Sequence, residues 1–254
     1  MKELINNLLA FLNLRIIRKS YFEKFNNYIK YIELLKAISP DYRSIIVDYL
    51  DASKSQLCQD LFVMNELGLK KNGFFVEFGA GDGINFSNTF LLENKFNWRG
   101  ILAEPAKILH NKLKKNRRAS IETDCVWKNT GSTLIFKEAK KSEFSTINHF
   151  SKFNIYKINS HVGNTYNVKT ISLEDVLKKF NAPLYIDYLS VDTEGSEFEI
   201  LKNFNFNKYK FKIITCEHNY SANRIKIFNL LTNYGYKRKF TEISKWDDWY
   251  ILGD

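Results

Sequence analysis

A carboxylate followed by three alternating glycines, Val76-Glu77-Phe78-Gly79-Ala80-Gly81-Asp82-Gly83, is the segment of this chain whose spacing points most directly to chemistry. The apolar run from Phe74 to Phe78 reads as a strand. Glycines at 79, 81 and 83 then let the backbone turn sharply and approach a ligand where a Cβ would clash. A helix predicted from near Asn85 would aim its free N–H groups at that ligand. Strand, glycine turn and helix form the nucleotide-binding opening of a doubly wound α/β domain. Two further apolar runs end in acids: Gly100 to Glu104, with Pro105 just beyond, and Ala119 to Thr123, which leads to Asp124. Glu104 lies 21 residues after Gly83, close to the offset of about 20 at which an acid reaches ribose hydroxyls. Asp124 is placed to accept a hydrogen bond from an adenine amino group. Together Glu77, Glu104 and Asp124 would line the carboxyl edge of a parallel sheet, where ligands bind in such folds.

The glycine spacing discriminates between nucleotides. A dinucleotide fingerprint needs a third glycine where Ile84 stands, which disfavours a nicotinamide cofactor. The observed Glu-x-Gly-x-Gly-x-Gly is similar to the first motif of S-adenosylmethionine (SAM) methyltransferases. SAM carries a zwitterionic methionine tail and no pyrophosphate, so bare glycine backbone with nearby carboxylates suits it.

A second constellation lies downstream. Tyr188-Leu-Ser-Val-Asp192-Thr-Glu194-Gly-Ser-Glu197 is a strand entering a helix through an acidic turn, and Ile214-Thr-Cys-Glu217-His218-Asn219 closes a later strand. With Ser87-Asn88-Thr89 and Trp98-Arg-Gly-Ile-Leu-Ala-Glu104-Pro105, these segments make the chain resemble the FkbM family of SAM-dependent methyltransferases from Phe74 to Asn219. The resemblance implies a class I methyltransferase fold: a doubly wound, mostly parallel seven-stranded sheet with an antiparallel terminal hairpin. It also implies O-methylation of sugars or polyketide-derived hydroxyls, here read as a sugar or nucleotide-activated sugar in bacterial surface polysaccharide (capsule or lipopolysaccharide) synthesis. Carried onto matching positions, Glu77, Gly79, Ala80, Gly81, Asp82, Gly83 and Asn88 would surround the methionyl part of SAM. Glu104 and Pro105 would take the ribose, Asp124 or Cys125 the adenine, and Asp192 and Glu194 would approach the methyl donor and acceptor.

A sugar hydroxyl is a poor nucleophile near neutral pH, so its proton must leave as the methyl transfers. Two arrangements satisfy this. Either His218 is the general base, or Asp192, Glu217 and His218 hold Mg²⁺ or Mn²⁺, which lowers the hydroxyl's pKa. A non-catalytic interaction protein of the same fold would leave these groups idle, and a lipid, polyketide or nucleic-acid acceptor would keep the same donor site.

The elements that position these residues can be read along the chain. Residues 1–60 form a predicted helical extension, with Leu4, Leu8, Phe11, Leu12 and Ile16 and then Tyr28, Ile32 and Leu35 at helical spacing before Ser39-Pro40. Its polar face carries Arg15, Arg18, Lys19, Lys24 and Lys30, so this arm could cover the sheet, form a homodimer surface or rest on an anionic membrane. Residues 61–254 form the predicted catalytic domain. Strands are expected at Ser132 to Glu138, Val168 to Ile171, Tyr185 to Asp192 and Phe211 to Glu217, a helix capped by Ser172 with Asp175 three residues on, and a final hairpin from Gly235 to Leu252. Residues 142–166, with His149, His161 and Tyr166, are expected to be a loop over the site.

Length, 44% hydrophobic content and 26% charge are those of a globular protein with a substantial core. Three cysteines without metal-like spacing point to reduced thiols in a cytoplasmic protein, and no signal peptide or membrane span is evident. The net charge of +10 favours anionic partners, yet no nucleic-acid-binding module is recognisable, and a nucleotide sugar meets the same electrostatic demand.

Overall fold

The computed structural model describes residues 18–139, 146–147 and 162–253. In chain order these form α1 (Lys19–Ala37), α2 (Pro40–Val47), α3 (Gln59–Glu66), β1 (Phe74–Phe78), α4 (Phe90–Phe96), β2 (Arg99–Ala103), α5 (His110–Asn116) and β3 (Ser120–Glu122). There follow β4 (Cys125–Trp127), β5 (Thr133–Ala139), β6 (Thr146–Ile147), β7 (Val162–Ser172), α6 (Leu173–Lys179) and β8 (Tyr185–Val191). The last elements are α7 (Glu197–Lys202), β9 (Lys210–Glu217), α8 (Asn223–Asn233), β10 (Tyr236–Lys239) and β11 (Asp247–Leu252).

Seven strands pair in the order β3-β2-β1-β8-β9-β11-β10. All neighbours run parallel except β11, which is antiparallel to both β9 and β10. From β1 the chain winds outward through β2 and β3, then returns to β8 on the other side. The strand order therefore reverses between β1 and β8, and a crevice opens above their carboxyl ends. This is the class I methyltransferase arrangement, with the expected antiparallel hairpin at the sheet edge.

Period-two alternation sends each strand's side chains to two cores. Phe75, Tyr188, Ile213 and Trp249 face one side and pack with Leu34 and Ile38 of the α1 end, Ile46 of α2, and Leu61 and Phe62 of α3. Val76, Phe78, Leu189, Ile214 and Tyr250 face the other, against Val176, Ile200 and Ile227 from α6, α7 and α8. The N-terminal helices thus share a core with the sheet. A second sheet, β4-β7-β5-β6, stands beside the main one.

Three expectations need correction. The helix after the glycine turn starts at Phe90, not near Asn85, because Asp82 accepts from the Ile84 and Asn85 N–H groups and holds that stretch in a turn. The strand read as Ala119 to Thr123 shortens to Ser120–Glu122, where Glu122 bends the chain by accepting from the Thr123 and Asp124 N–H groups. Of the segment read as a loop, 162–166 belongs to the long strand β7, and the Tyr166 hydroxyl donates to Glu138 at 2.8 Å. His149 and His161 lie outside the described residues.

The Ser172 cap forms as expected, its Oγ accepting from the Asp175 N–H at 3.2 Å. Ser172→Ala should lower stability by about 1 kcal/mol in urea unfolding, the usual value of such a cap.

Candidate active site

The glycine turn is shaped from both sides. Gly79 has φ +75°, and a Cβ there would sit 1.9 Å from the Asp192 carbonyl oxygen, so the β1 turn and the β8 end touch backbone to backbone. Gly81 is also left-handed, at φ +58°, but a Cβ there would meet nothing described within 4 Å. The first glycine closes the crotch between β1 and β8. The second faces open space, as a ligand cradle requires.

Behind the turn stands Arg117, only 5% exposed. Its Nε bonds Glu93 at 2.9 Å, its Nη1 the Gly83 carbonyl at 3.1 Å and Ser87 Oγ at 2.9 Å, and its Nη2 Thr89 Oγ1 at 2.8 Å. Glu77 lies 3.6 Å from the same guanidinium. The Glu77 oxygens also accept from Ser87 Oγ at 3.0 Å, the Asn88 N–H at 2.6 Å and Thr89 Oγ1. Glu77, placed by sequence at the donor, therefore spends its carboxylate on the 87–89 turn and acts as a positioning group. Asn88, held by that turn, donates from Nδ2 to Ser190 Oγ at 2.9 Å, and its buried Oδ1 has no partner among the described residues.

At the end of β2, Glu104 is buried and accepts from the Gly81 N–H and the Ala106 N–H, both at 2.8 Å. Burial pushes its pKa up to about 7 against these two bonds, and Glu138 adds to the rise. Cys125, at the start of β4, is buried within the fields of Glu104 and Asp124, which with burial push its thiol up to about 12. The three groups assigned to ribose and adenine thus gather in one neighbourhood, with Pro105 between Glu104 and the β7 hydroxyl of Tyr166. Asp82 keeps its charge by hydrogen bonding. Burial opposes ionisation there, but bonds from Ile84 and Asn85 outweigh it and lower the pKa. All three cysteines are buried free thiols.

The acidic turn after β8 meets the end of β9. Asp192, Glu194 and Glu217 each offer a carboxylate oxygen, and the three oxygens lie within 4.8 Å of one another. Glu194 sits at φ +60°, a costly conformation for a residue with a Cβ. Glu197 sustains it, taking the Thr193 N–H at 3.0 Å, Thr193 Oγ1 at 3.1 Å and the Gly195 N–H at 2.9 Å on one oxygen. Burial raises the pKa of Asp192 well above the carboxylate range, helped by Glu194 and Asp247. Burial does the same to Glu217, helped by Asp192 and Glu194. Glu217 Oε2 is buried with no hydrogen-bond partner among the described residues.

His218 does not join this group. It follows Glu217 directly, so its side chain points the opposite way. Its Nδ1 accepts from the Tyr220 N–H at 3.0 Å, and its Nε2 lies 3.7 Å from Asp248 on β11, without a hydrogen-bond partner among the described residues. Burial lowers its pKa despite Asp248. The structure thus withdraws His218 from the cation set of Asp192, Glu217 and His218, puts Glu194 in its place, and leaves the imidazole no free lone pair for the crevice.

A model of the methyltransferase FkbM domain matches residues 77–246, from the β1 carboxylate to the turn before β11. The chain belongs to the FkbM methyltransferase family. It is accordingly a SAM-dependent methyltransferase. A search of curated proteins found no match. Among solved structures, similarity extends to a precorrin-6y C5,15-methyltransferase from Geobacter metallireducens (14% identity, 71% of this chain and 72% of that one, TM-score 0.40). It also reaches a putative RNA methyltransferase from Pyrococcus horikoshii (14%, 77% and 82%, 0.38) and the N-terminal domain of human METTL16 in complex with SAH (13%, 79% and 72%, 0.38). These likenesses are too distant to bear on the acceptor.

Several residues of this FkbM site had no sequence signal. Arg117 and Glu93 lie 24 positions apart and outside every motif, although an acid inside the apolar run Phe90-Leu-Leu-Glu93 was a hint. Asp247, whose Oδ2 accepts from Gln59 Nε2 at 2.8 Å, joins the field around Asp192 only because β11 inserts beside β9.

Replacing Arg117 with Met should leave Glu77 buried without a cation and Glu93 with only the exposed Arg118, and cost about 3–5 kcal/mol in urea unfolding. Glu104 provides a pH test. Its folded pKa of about 7 lies above the ordinary glutamate value of 4.5, so its contribution is complete below the lower value and is lost as pH rises through the upper. Wild-type stability should fall relative to Glu104→Gln by about 3 kcal/mol across that window, as read by guanidinium melts of the donor-free protein.

Proposed function

We propose that this FkbM methyltransferase moves the methyl group of SAM to a hydroxyl of a saccharide or nucleotide-activated sugar, in building a bacterial surface polysaccharide. The observation that carries the reading is the carboxylate group of Asp192, Glu194 and Glu217 at the carboxyl ends of β8 and β9, directly across the Gly79 contact from the donor turn. A hydroxyl acceptor needs its proton removed, and this is the set of groups placed to manage that.

The residues fit the donor. Open space at Gly81 admits the methionyl part, the unpartnered Asn88 Oδ1 can accept from its ammonium, and the free lone pairs of Glu104 can take two ribose hydroxyls. SAM supplies an electrophilic methyl on a sulfonium, and the protein orients an acceptor oxygen in line with it. The Arg117 node holds the turn rigid, so that orientation costs little when the donor arrives.

The same three carboxylates fit a hard divalent cation, Mg²⁺ or Mn²⁺. All are oxygen ligands, they crowd mutual negative charge, and one buried oxygen has no hydrogen-bond partner among the described residues. A bound cation would supply Lewis acidity that brings the acceptor hydroxyl's pKa toward neutrality. Asp192 and Glu217, on adjacent strand ends, fix where that charge would sit, and Glu197 keeps Glu194 turned toward them.

The test is a screen of nucleotide sugars with isotope-labelled SAM, read by mass spectrometry for a gain of one methyl, alongside calorimetric titration of SAM. Gly81→Val should weaken SAM binding by about tenfold or more, because a branched side chain fills the cradle at a positive φ. Asp192→Asn and Glu217→Gln should cut turnover by about 10² or more with SAM affinity nearly intact. Chelation followed by Mn²⁺ should remove and restore that turnover. Failure to bind SAM would instead point to a non-catalytic interaction protein.

A further inference from the structure

Helix α1 carries two apolar faces, and among the described residues only one is buried. Leu34 and, just past the helix end, Ile38 are buried in the core shared with the sheet. Lys30 Nζ pins the helix further, donating to the Ser55 carbonyl at 3.3 Å and the Gln56 carbonyl at 3.1 Å. The other face is open. Tyr21 is 66% exposed, Phe22 51%, Phe25 60% and Ile32 53%.

These residues follow a helical ladder. Tyr21, Phe25, Tyr28 and Ile32 step by four, three and four, with Phe22 and Ile29 alongside, so all six fall on one stripe. The ladder continues at both ends into a base: Arg18 precedes Tyr21 by three positions, and Lys36 follows Ile32 by four. At 3.6 residues per turn Arg18 and Lys36 stand about five full turns apart on the same face, roughly 27 Å from end to end. The stripe is therefore aromatic and aliphatic in the middle and cationic at each tip.

We propose that α1 lies flat on an anionic lipid bilayer, with this stripe inserted at headgroup level. Tyrosine and phenylalanine with flanking bases are the composition of an interfacial helix. Among the described residues no helix is long and apolar enough to cross a membrane, so contact would be in the surface plane. Charge decides against a second copy as the occupant. A symmetric pairing through the stripe, parallel or antiparallel, sets the Arg18 and Lys36 tips against like charges. An anionic lipid surface neutralises both, and the chain's net charge of +10 favours the same partner.

The test uses the full chain and flotation with vesicles of phosphatidylcholine, either alone or with about a third phosphatidylglycerol. The protein should float with the anionic vesicles and bind the neutral ones at least about tenfold more weakly. Phe22→Ser with Phe25→Ser should abolish flotation, and Arg18→Gln with Lys36→Gln should reduce it about tenfold. Unfolding midpoints and SAM affinity should stay at wild-type values, because these side chains lie outside the core and the crevice. Equal binding to both vesicles, no flotation, or a lipid-free dimer in light scattering that the double serine variant dissolves would overturn the proposal.

Discussion

A single buried guanidinium holds the donor turn together. Arg117 arrives from the end of α5 and reaches β1 through Glu77, the glycine turn through the Gly83 carbonyl, the following turn through Ser87 and Thr89, and α4 through Glu93. Without it Glu77 would keep only neutral donors, Glu93 would keep only Arg118 beside it, and the Gly83 carbonyl would lose its donor. The same fact makes the turn stiff. Its glycines have the freedom to adopt many shapes, and the arginine selects one.

The buried and half-buried acids divide into two kinds by how they are satisfied. Glu77, Glu93, Glu197 and Asp248 are each surrounded by donors, Asp248 by the Arg224 fork at 3.0 and 2.8 Å and by Arg238 at 3.1 Å. They are scaffold, and they fix where the rim of the crevice stands. Asp192, Glu194 and Glu217 instead lie against one another, and burial, helped by the neighbouring acids, raises the pKa values of Asp192 and Glu217. Folding to this arrangement is unfavourable in itself, and the surrounding satisfied network sustains it.

Much of this was legible in the residues. Alternating glycines after an apolar run located β1 and its turn because only glycine allows that backbone. Apolar runs ending in acids located β2, β8 and β9, and Ser172 with Asp175 located the start of α6. What escaped did so for physical reasons. The helix near Asn85 was displaced to Phe90 because a local carboxylate, Asp82, competes for the N–H groups that would start it. His218 stands apart from the acidic group because neighbouring residues at a strand end point in opposite directions. Arg117 has no periodic or motif signature; its importance comes from where α5 delivers it.

The shared core of α1, α2, α3 and the sheet has a consequence for how this family is cut into domains. The conserved-domain match starts at Glu77, in the middle of β1, whereas Phe75, two residues earlier, packs with Ile46, Phe62 and Trp249. A fragment starting at Glu77 would lose Phe74, Phe75 and Val76 of β1 and uncover the part of the sheet against which α1, α2 and α3 pack. The matched segment is therefore smaller than the unit that shares this core, and the helices before it form a wall of the fold as the strands do.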